Sequence, residues 1–289
     1  MGLSSKFSMK ILKDFRSLLN RILHTTGARN KPMPHLVHVS SEAESNIKKS
    51  IPFFERIKGI HTGRRGFVIG NGPSLRIGDL DLLNEDVTIA SNKIYMAFDH
   101  VKWRPTYYTV ADDLVWGKIQ EKIPSEILDV LIPHYLNPSP LKKCQTWRTL
   151  RFAGIEAENN PRFKGIDFSK NASNGLFGSC TVTYENLQLA VHLGLNPIYI
   201  IGCDHFYKGE NQVVKDQALP HGNFSNHFIE GYRLPGELVN PAPLDIMNRG
   251  YREARKFSDS TDIKIYNATR GGNLEHFIRA DFESLFSKK

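Results

Sequence analysis

Six short apolar runs punctuate residues 66–268, and they constrain the fold of this chain more than any other feature. They are GFVIG (66–70), VTIAS (87–91), TYYTVA (106–111), DVLIPH (129–134), PIYIIGC (197–203) and IKIYNA (263–268). All are rich in the β-branched and aromatic residues that suit a pleated surface. None alternates cleanly between apolar and polar, so neither face of these strands is built to meet water. Over Thr181–Leu193 and Asp245–Phe257 the apolar residues recur instead at helical spacing. Apolar strands interleaved with helices specify a mostly parallel sheet covered on both faces. The expected fold class is α/β, a doubly wound, mostly parallel sheet over residues 66–289. Residues 207–243, polar and rich in Gly, Pro, Asn and His, are long for a connection and read as a helical, lid-like insertion.

The charge divides the chain at a different place. The formal net charge is +8. Residues 1–65 hold thirteen Lys/Arg and four Asp/Glu, whereas residues 66–289 hold 25 and 26, so the body is neutral and the basicity belongs to the N-terminal segment. A neutral body lacks the basic face of a nucleic-acid binder, which makes that class the weakest reading and leaves no nucleic acid among the expected partners. Within residues 1–33, Phe7, Ile11, Leu12, Phe15, Leu18, Leu19, Ile22 and Leu23 share one helix face between Lys10, Lys13, Arg16 and Arg21. Such a basic amphipathic helix lies on an anionic membrane surface or packs on the body or a partner. Residues 34–65 read as a linker or helical connector. Three cysteines without C-x-x-C spacing point to a reducing compartment. The expected location is the cytoplasm, peripheral to the inner face of the cytoplasmic membrane, and a homo-oligomer is compatible with this reading.

Four sets of residues could carry chemistry. Gly70-Asn71-Gly72-Pro73-Ser74 follows the first strand; glycines allow close backbone approach, Pro73 suits a first helical turn, and free amides there would favour a phosphate. The pattern is neither a Walker A loop nor G-x-G-x-x-G, and an ordinary strand–helix turn explains it as well. Asn92, Asp112-Asp113 and Asp204-His205-Phe206-Tyr207 also fall at strand ends, where ligands collect in α/β sheets. Asp112 and Asp113 could hold Mg²⁺ through carboxylate oxygens, or cap the helix that follows. Ser173-Asn174-Gly175, read as preceding the long helix directly, suits an anion, a sugar hydroxyl or a simple cap. His205, His221 and His227 form an acid/base set without the helix-face spacing of a metal site.

Taken together, "FVIGNGPSL", Asn92, "SNGLFGSCTVTYENLQLAVHLGLNPIYIIGCDHFY" and "SNHFIEGY" resemble the bacterial sialyltransferases of glycosyltransferase family 42. "RPTYYTVADD" and "IYNATRGG" bring the chain equally close to the group related to archaeal 6-hydroxymethylpterin diphosphokinases, which includes the flagellin-glycosylating motility factors. The resemblance covers residues 66 to about 286 and implies a Rossmann-like domain. By the sialyltransferase resemblance, Asn71 and Asn92 contact a CMP-activated nonulosonic sugar, Gly72, Pro73 and Ser74 lie in the same turn, Ser173, Asn174 and Gly175 face the nucleotide, and Tyr207 binds the leaving phosphate; Gly70 and Asp204, beside them at strand ends, complete the expected nucleotide-binding set. GCDHFY is one residue longer than the family's form, and no second tyrosine follows it. Glu230-Gly231 stand where the family has its base histidine, leaving His227 or Glu230 to serve.

The expected activity is therefore transfer of a sialic-acid-like sugar from a CMP-activated donor to a glycan, lipopolysaccharide or lipid-linked acceptor. The rival resemblance implies Mg²⁺-dependent diphosphate transfer from ATP to a hydroxymethyl-pterin, with Asp112, Asp113 and Asp204 as ligands. A third reading is a nucleotide-sugar-binding protein without catalysis.

Overall fold

The computed structural model describes residues 39–152, 166–209, 219–220, 222 and 225–287. In chain order the strands are β1 (Gly66–Ile69), β2 (Val87–Ser91), β3 (Tyr107–Thr109), β4 (Asp129–Pro133), β5 (Lys143–Trp147), β6 (Thr149–Phe152), β7 (Leu176–Gly178), β8 (Ile198–Ile201), β9 (Leu219–Pro220), β10 (Leu238–Val239), β11 (Ile265–Asn267) and β12 (Ile278–Arg279). The helices are α1 (Ser41–Ile57), α2 (Asp113–Ile119), α3 (Val182–His192) and α4 (Leu244–Ser260). Eight strands form one sheet in the order β12-β11-β8-β1-β2-β3-β4-β5, with every pairing parallel. This is the expected Rossmann-like α/β architecture, and all six apolar runs supply strands of this sheet.

The two-sided burial explains why those runs lack alternation. In β1, Val68 packs into one apolar layer with Phe54, Ile89, Leu187, Ile200 and Tyr251. Its neighbours Phe67 and Ile69 enter the opposite layer with Ala90, Trp103, Tyr108 and Trp116. Successive side chains point to opposite faces, so a strand with a core on each side needs apolar residues at every position.

The chain runs outward from β1 through β2 to β5, then returns to β8 on β1's other side. β1 pairs with both, Gly66 aligning with Val87 and with Ile198. The strand order therefore reverses between β1 and β8. In open parallel sheets a crevice forms at this point, outside the strand carboxyl ends.

Three expectations change. The segment read as a connector contains α1, which belongs to the body: Phe54 and Ile57 are core residues, and Ser50 Oγ accepts from the Thr146 amide at 2.8 Å. Ser40 caps the helix by accepting from Ala43 N, and Glu42 and Glu44 suit its positive amino end. The lid is not helical among its described residues, which form turns and a short antiparallel β9–β10 pair. Ser173-Asn174-Gly175 does not start α3, because β7 intervenes and Thr181 caps the helix. The basic helix of residues 1–33 lies outside the described residues, as does His221. Among the described residues no helix is long and apolar enough to cross a membrane.

Candidate functional site

The loops after β1 and β8 meet at the strand-order reversal. Gly70 N donates to Ile201 O and Gly72 N to Gly202 O, both at 2.8 Å. A Cβ on Gly70 would lie 2.3 Å from Gly202 O, and one on Gly72 would lie 2.0 Å from Asp204 Oδ2. These glycines thus permit loop-on-loop contact. Asp204 Oδ2 accepts from Ser74 Oγ at 2.8 Å and from Ser74 N at 3.3 Å. Burial raises the Asp204 carboxyl above its ordinary pKa, with the Ser74 bonds opposing.

This arrangement corrects the phosphate-cradle expectation. No helix begins at Pro73; residues 72–74 form a turn, and a 3₁₀ helix starts only at Ile77. The amides of Gly70, Gly72 and Ser74 are already donated within the protein. The acceptor of the Ser74 amide is a carboxylate, which holds the place a phosphate would need.

Asn71 and Asn92 stand at the ends of β1 and β2. Asn71 Nδ2 donates to Ser91 O at 3.1 Å, which turns Oδ1 away as a buried acceptor without a partner. Asn92 has a positive φ of 56°, an uncommon left-handed conformation that Asn tolerates better than most side chains. Its carbonyl accepts from Tyr108 OH, and its buried Oδ1 is also unpartnered.

At β3, Asp112 is the N-cap of α2, accepting from Val115 N at 2.9 Å. Asn240 Nδ2 bonds both carboxylates, Asp112 at 3.2 Å and Asp113 at 2.9 Å. Burial raises the Asp112 carboxyl, against its bond from Val115. Asp204 is committed to Ser74, so the three expected Mg²⁺ ligands serve two separate hydrogen-bond sets. Among the described residues no group of three or more His, Cys, Asp or Glu is placed to hold a metal.

The lid segment closes over this edge through one carboxylate. Glu237 Oε1 takes Lys118 at 3.0 Å, Lys93 at 3.3 Å and Arg233 at 3.3 Å. Burial opposes ionisation of Glu237, yet the Leu234 amide and these cations hold its pKa at about 2. Lys93 Nζ also donates to Tyr232 O at 2.5 Å. His227 stacks on Tyr232 with ring centroids 3.8 Å apart. Tyr207 is half-buried against the core, whereas Glu230 is exposed.

The Ser173–Gly175 turn goes elsewhere. Ser173 N bonds Asn171 Oδ1, Ala172 N donates to His192 Nδ1 at the carboxyl end of α3, and Gly175 packs on Arg148 O with φ +121°. The sequence brings these residues near α3, but the fold hangs them at the wrong end of it.

Two further residues gain weight. His205 is buried, with Nε2 2.8 Å from Asn248 Oδ1; His276 Nε2 reaches the same oxygen at 2.7 Å. An amide oxygen accepts only, so both rings carry their proton on Nε2, and His205 Nδ1 is left as an unpartnered lone pair. Burial lowers the His205 pKa. Glu185, absent from the sequence-derived set, is 3% exposed in the first turn of α3. Its Oε2 has no partner, and burial pushes its pKa up to about 8. The sequence carries no signal for it: α3 mixes polar and apolar residues, yet every position from Thr183 to His192 is buried. Asn186 beside it accepts from Thr109 Oγ1 at 2.9 Å and leaves Nδ2 unpartnered.

Compared with known proteins, the chain matches no family model, no curated protein and no solved structure.

Proposed function

We propose that the protein is a glycosyltransferase that moves a sialic-acid-like sugar from a CMP-activated donor to a surface glycan or lipopolysaccharide acceptor. One observation carries this reading. Asn71 Oδ1, Asn92 Oδ1, Glu185 Oε2, Asn186 Nδ2 and His205 Nδ1 are all buried and unpartnered along one carboxyl edge of the sheet. Each such group costs about 1–3 kcal/mol, and native proteins keep few of them without a purpose. Their chemistry is mixed and mostly neutral, which suits a nucleoside and a sugar better than a bare phosphate chain.

In this reading Asn71 and Asn92 accept hydrogen bonds from ribose hydroxyls, and the Tyr207 phenol donates to the leaving phosphate. The acceptor hydroxyl attacks the anomeric carbon, the bond to the phosphate oxygen breaks, and CMP departs with the electron pair. The proton passes to His205 Nδ1, whose tautomer Asn248 sets; His205 thus takes the role expected of His227 or Glu230. The basic segment of residues 1–33 brings the protein to an anionic membrane carrying the acceptor.

The test is to incubate the protein with CMP-sialic acid, and separately with ATP, Mg²⁺ and 6-hydroxymethyl-dihydropterin. CMP release supports the proposal, and His205→Ala should slow it by about 100-fold or more. AMP release alone would establish the diphosphokinase reading instead.

A further inference from the structure

A strap of chain lies across the carboxyl edge of the sheet. Phe228 N donates to Asn71 O at 3.1 Å, at the end of β1. Four residues on, Tyr232 is buried beside Lys93, just past β2, and its carbonyl accepts from Lys93 Nζ at 2.5 Å. Asn240 Nδ2 then bonds Asp112 and Asp113, past β3. Residues 228–240 therefore cross the ends of β1, β2 and β3 in turn. Solvent lies on their outer side, where Leu234 and Leu238 are exposed.

An uneven ion cluster holds the middle of the strap. Lys118 Nζ, Lys93 Nζ and Arg233 Nη1 converge on one oxygen, Glu237 Oε1, at 3.0, 3.3 and 3.3 Å. Charge-assisted N–H···O bonds settle at about 2.7–2.9 Å, and three donors crowded on one oxygen fall short of that. Glu237 Oε2 receives the Leu234 amide at 3.0 Å. One carboxylate thus answers three cations. Asp112 also attracts Arg233, but its carboxylate is bonded to Val115 N and Asn240. The Arg233 side chain is 9% exposed and its Nε has no partner. A phosphoryl group, with three strong acceptor oxygens, would give each cation an oxygen of its own.

We propose that Lys93, Lys118 and Arg233 form a phosphoryl-binding subsite under the strap, and that the Glu237 carboxylate occupies it until a ligand phosphate displaces it. The room for the ligand is the place of the carboxylate itself. Glu237 follows Gly236, whose φ is +77° and whose Cβ position meets nothing within 4 Å. The carboxylate can therefore swing outward at a turn free of packing, while buried Tyr232 keeps its neighbour Arg233 in place. Lys118, its side chain 36% exposed, opens the cluster to solvent. The phosphate comes from the acceptor or from the donor nucleotide. Its binding here does not depend on glycosyl transfer, whose own readout is CMP release from CMP-sialic acid.

The experiment is calorimetric titration of the full chain with inorganic phosphate, CMP and glucose 1-phosphate at low ionic strength, where exposed charges are least screened. Wild-type binding should be weak, because each ligand must first displace Glu237. Glu237→Gln keeps the shape of the side chain and removes the competing charge, so CMP or glucose 1-phosphate should bind it about tenfold more tightly or better. A larger gain for CMP assigns the subsite to the donor, and a larger gain for glucose 1-phosphate assigns it to a phosphorylated acceptor. Adding Lys118→Met, at a partly exposed position, should return the affinity to the wild-type level or below. In the wild type, saturating ligand should speed hydrogen exchange at the Leu234 amide, which loses Glu237 Oε2 as its acceptor. Unchanged or weaker binding by Glu237→Gln, full affinity in Glu237→Gln/Lys118→Met, or unaltered Leu234 exchange would overturn the proposal. So would a gain confined to inorganic phosphate, the mark of an adventitious ion only.

Discussion

Gly72→Ala is expected to damage the protein out of proportion to a single methyl group. The new Cβ would lie 2.0 Å from Asp204 Oδ2, 2.8 Å from Gly202 O and 2.9 Å from Asp204 Cγ. Gly202 O is backbone in a strand-end loop and has little room to yield, so the Asp204 carboxylate must leave. That breaks its bonds from Ser74 Oγ at 2.8 Å and Ser74 N at 3.3 Å. Hydrogen bonds to a charged group are each worth about 1.5–3 kcal/mol, and Asp204 is half-buried, so a net loss of about 2–4 kcal/mol is expected. Gly78→Ala is the control: nothing lies within 4 Å of its Cβ position and its φ is ordinary. It should be neutral or stabilising by up to about 1 kcal/mol through the unfolded state. Urea unfolding at pH 7 measures both. The double variant Gly72→Ala/Asp204→Ala removes the obstructing carboxylate and should cost at least ~1 kcal/mol less than the sum of the single changes. Gly72→Ala melting within about 0.5 kcal/mol of Gly78→Ala, or strict additivity in the cycle, would refute the reasoning.

Other outcomes follow from the same structure. The Glu185 pKa is raised from 4.5 to about 8, so its contribution is full below pH 4.5 and lost as pH rises through 8; at about 1.4 kcal/mol per unit this amounts to at most ~5 kcal/mol. Urea melts at pH 5 and 9 should therefore show Glu185→Gln gaining on the wild type only at the higher pH. Burial lowers His134 to about 4, where its Nδ1 must stay unprotonated to accept from Thr149 N at 3.0 Å. The lowered pKa means that its contribution is complete above pH 6.5 and lost as pH falls toward 4, which melting temperatures at pH 7, 5 and 4 will show and His134→Gln will blunt. Deleting residues 1–33 should abolish sedimentation with anionic vesicles while leaving CMP binding intact; vesicle binding by the truncated chain would remove the tether.

The loops illustrate how far the sequence carried the site. Asn71, Asn92 and Asp204 were legible because each follows an apolar run whose end is a strand end. The purpose of the β1 turn was not. Its Gly and Pro residues fit a helix start, but Asp204, separated from Ser74 by 130 residues, consumes the amide a phosphate would have taken. The capping role of Asp112 is legible in the sequence, since it depends only on the amide of Val115 three residues on. Ser173–Gly175 failed for the opposite reason: β7 lies between that turn and α3, and three apolar residues carry too little pattern to reveal a strand.

By itself the sequence determined the class of fold and the partition of charge. Both follow from local composition: a strand buried on both faces must be apolar throughout, and charge is additive. Only the tertiary structure decided which polar groups are left without partners. That depends on strand order, which sets β8 beside β1 and brings α3 over the ends of β2 and β3. A Glu inside a helix of mixed polar and apolar residues is a composition detail in the sequence. Removed from water, with no cation beside it among the described residues, it becomes a carboxyl group whose pKa burial pushes up to about 8. The difference is desolvation, which no pattern of neighbours in sequence can report, because the atoms that exclude the water come from elsewhere in the chain.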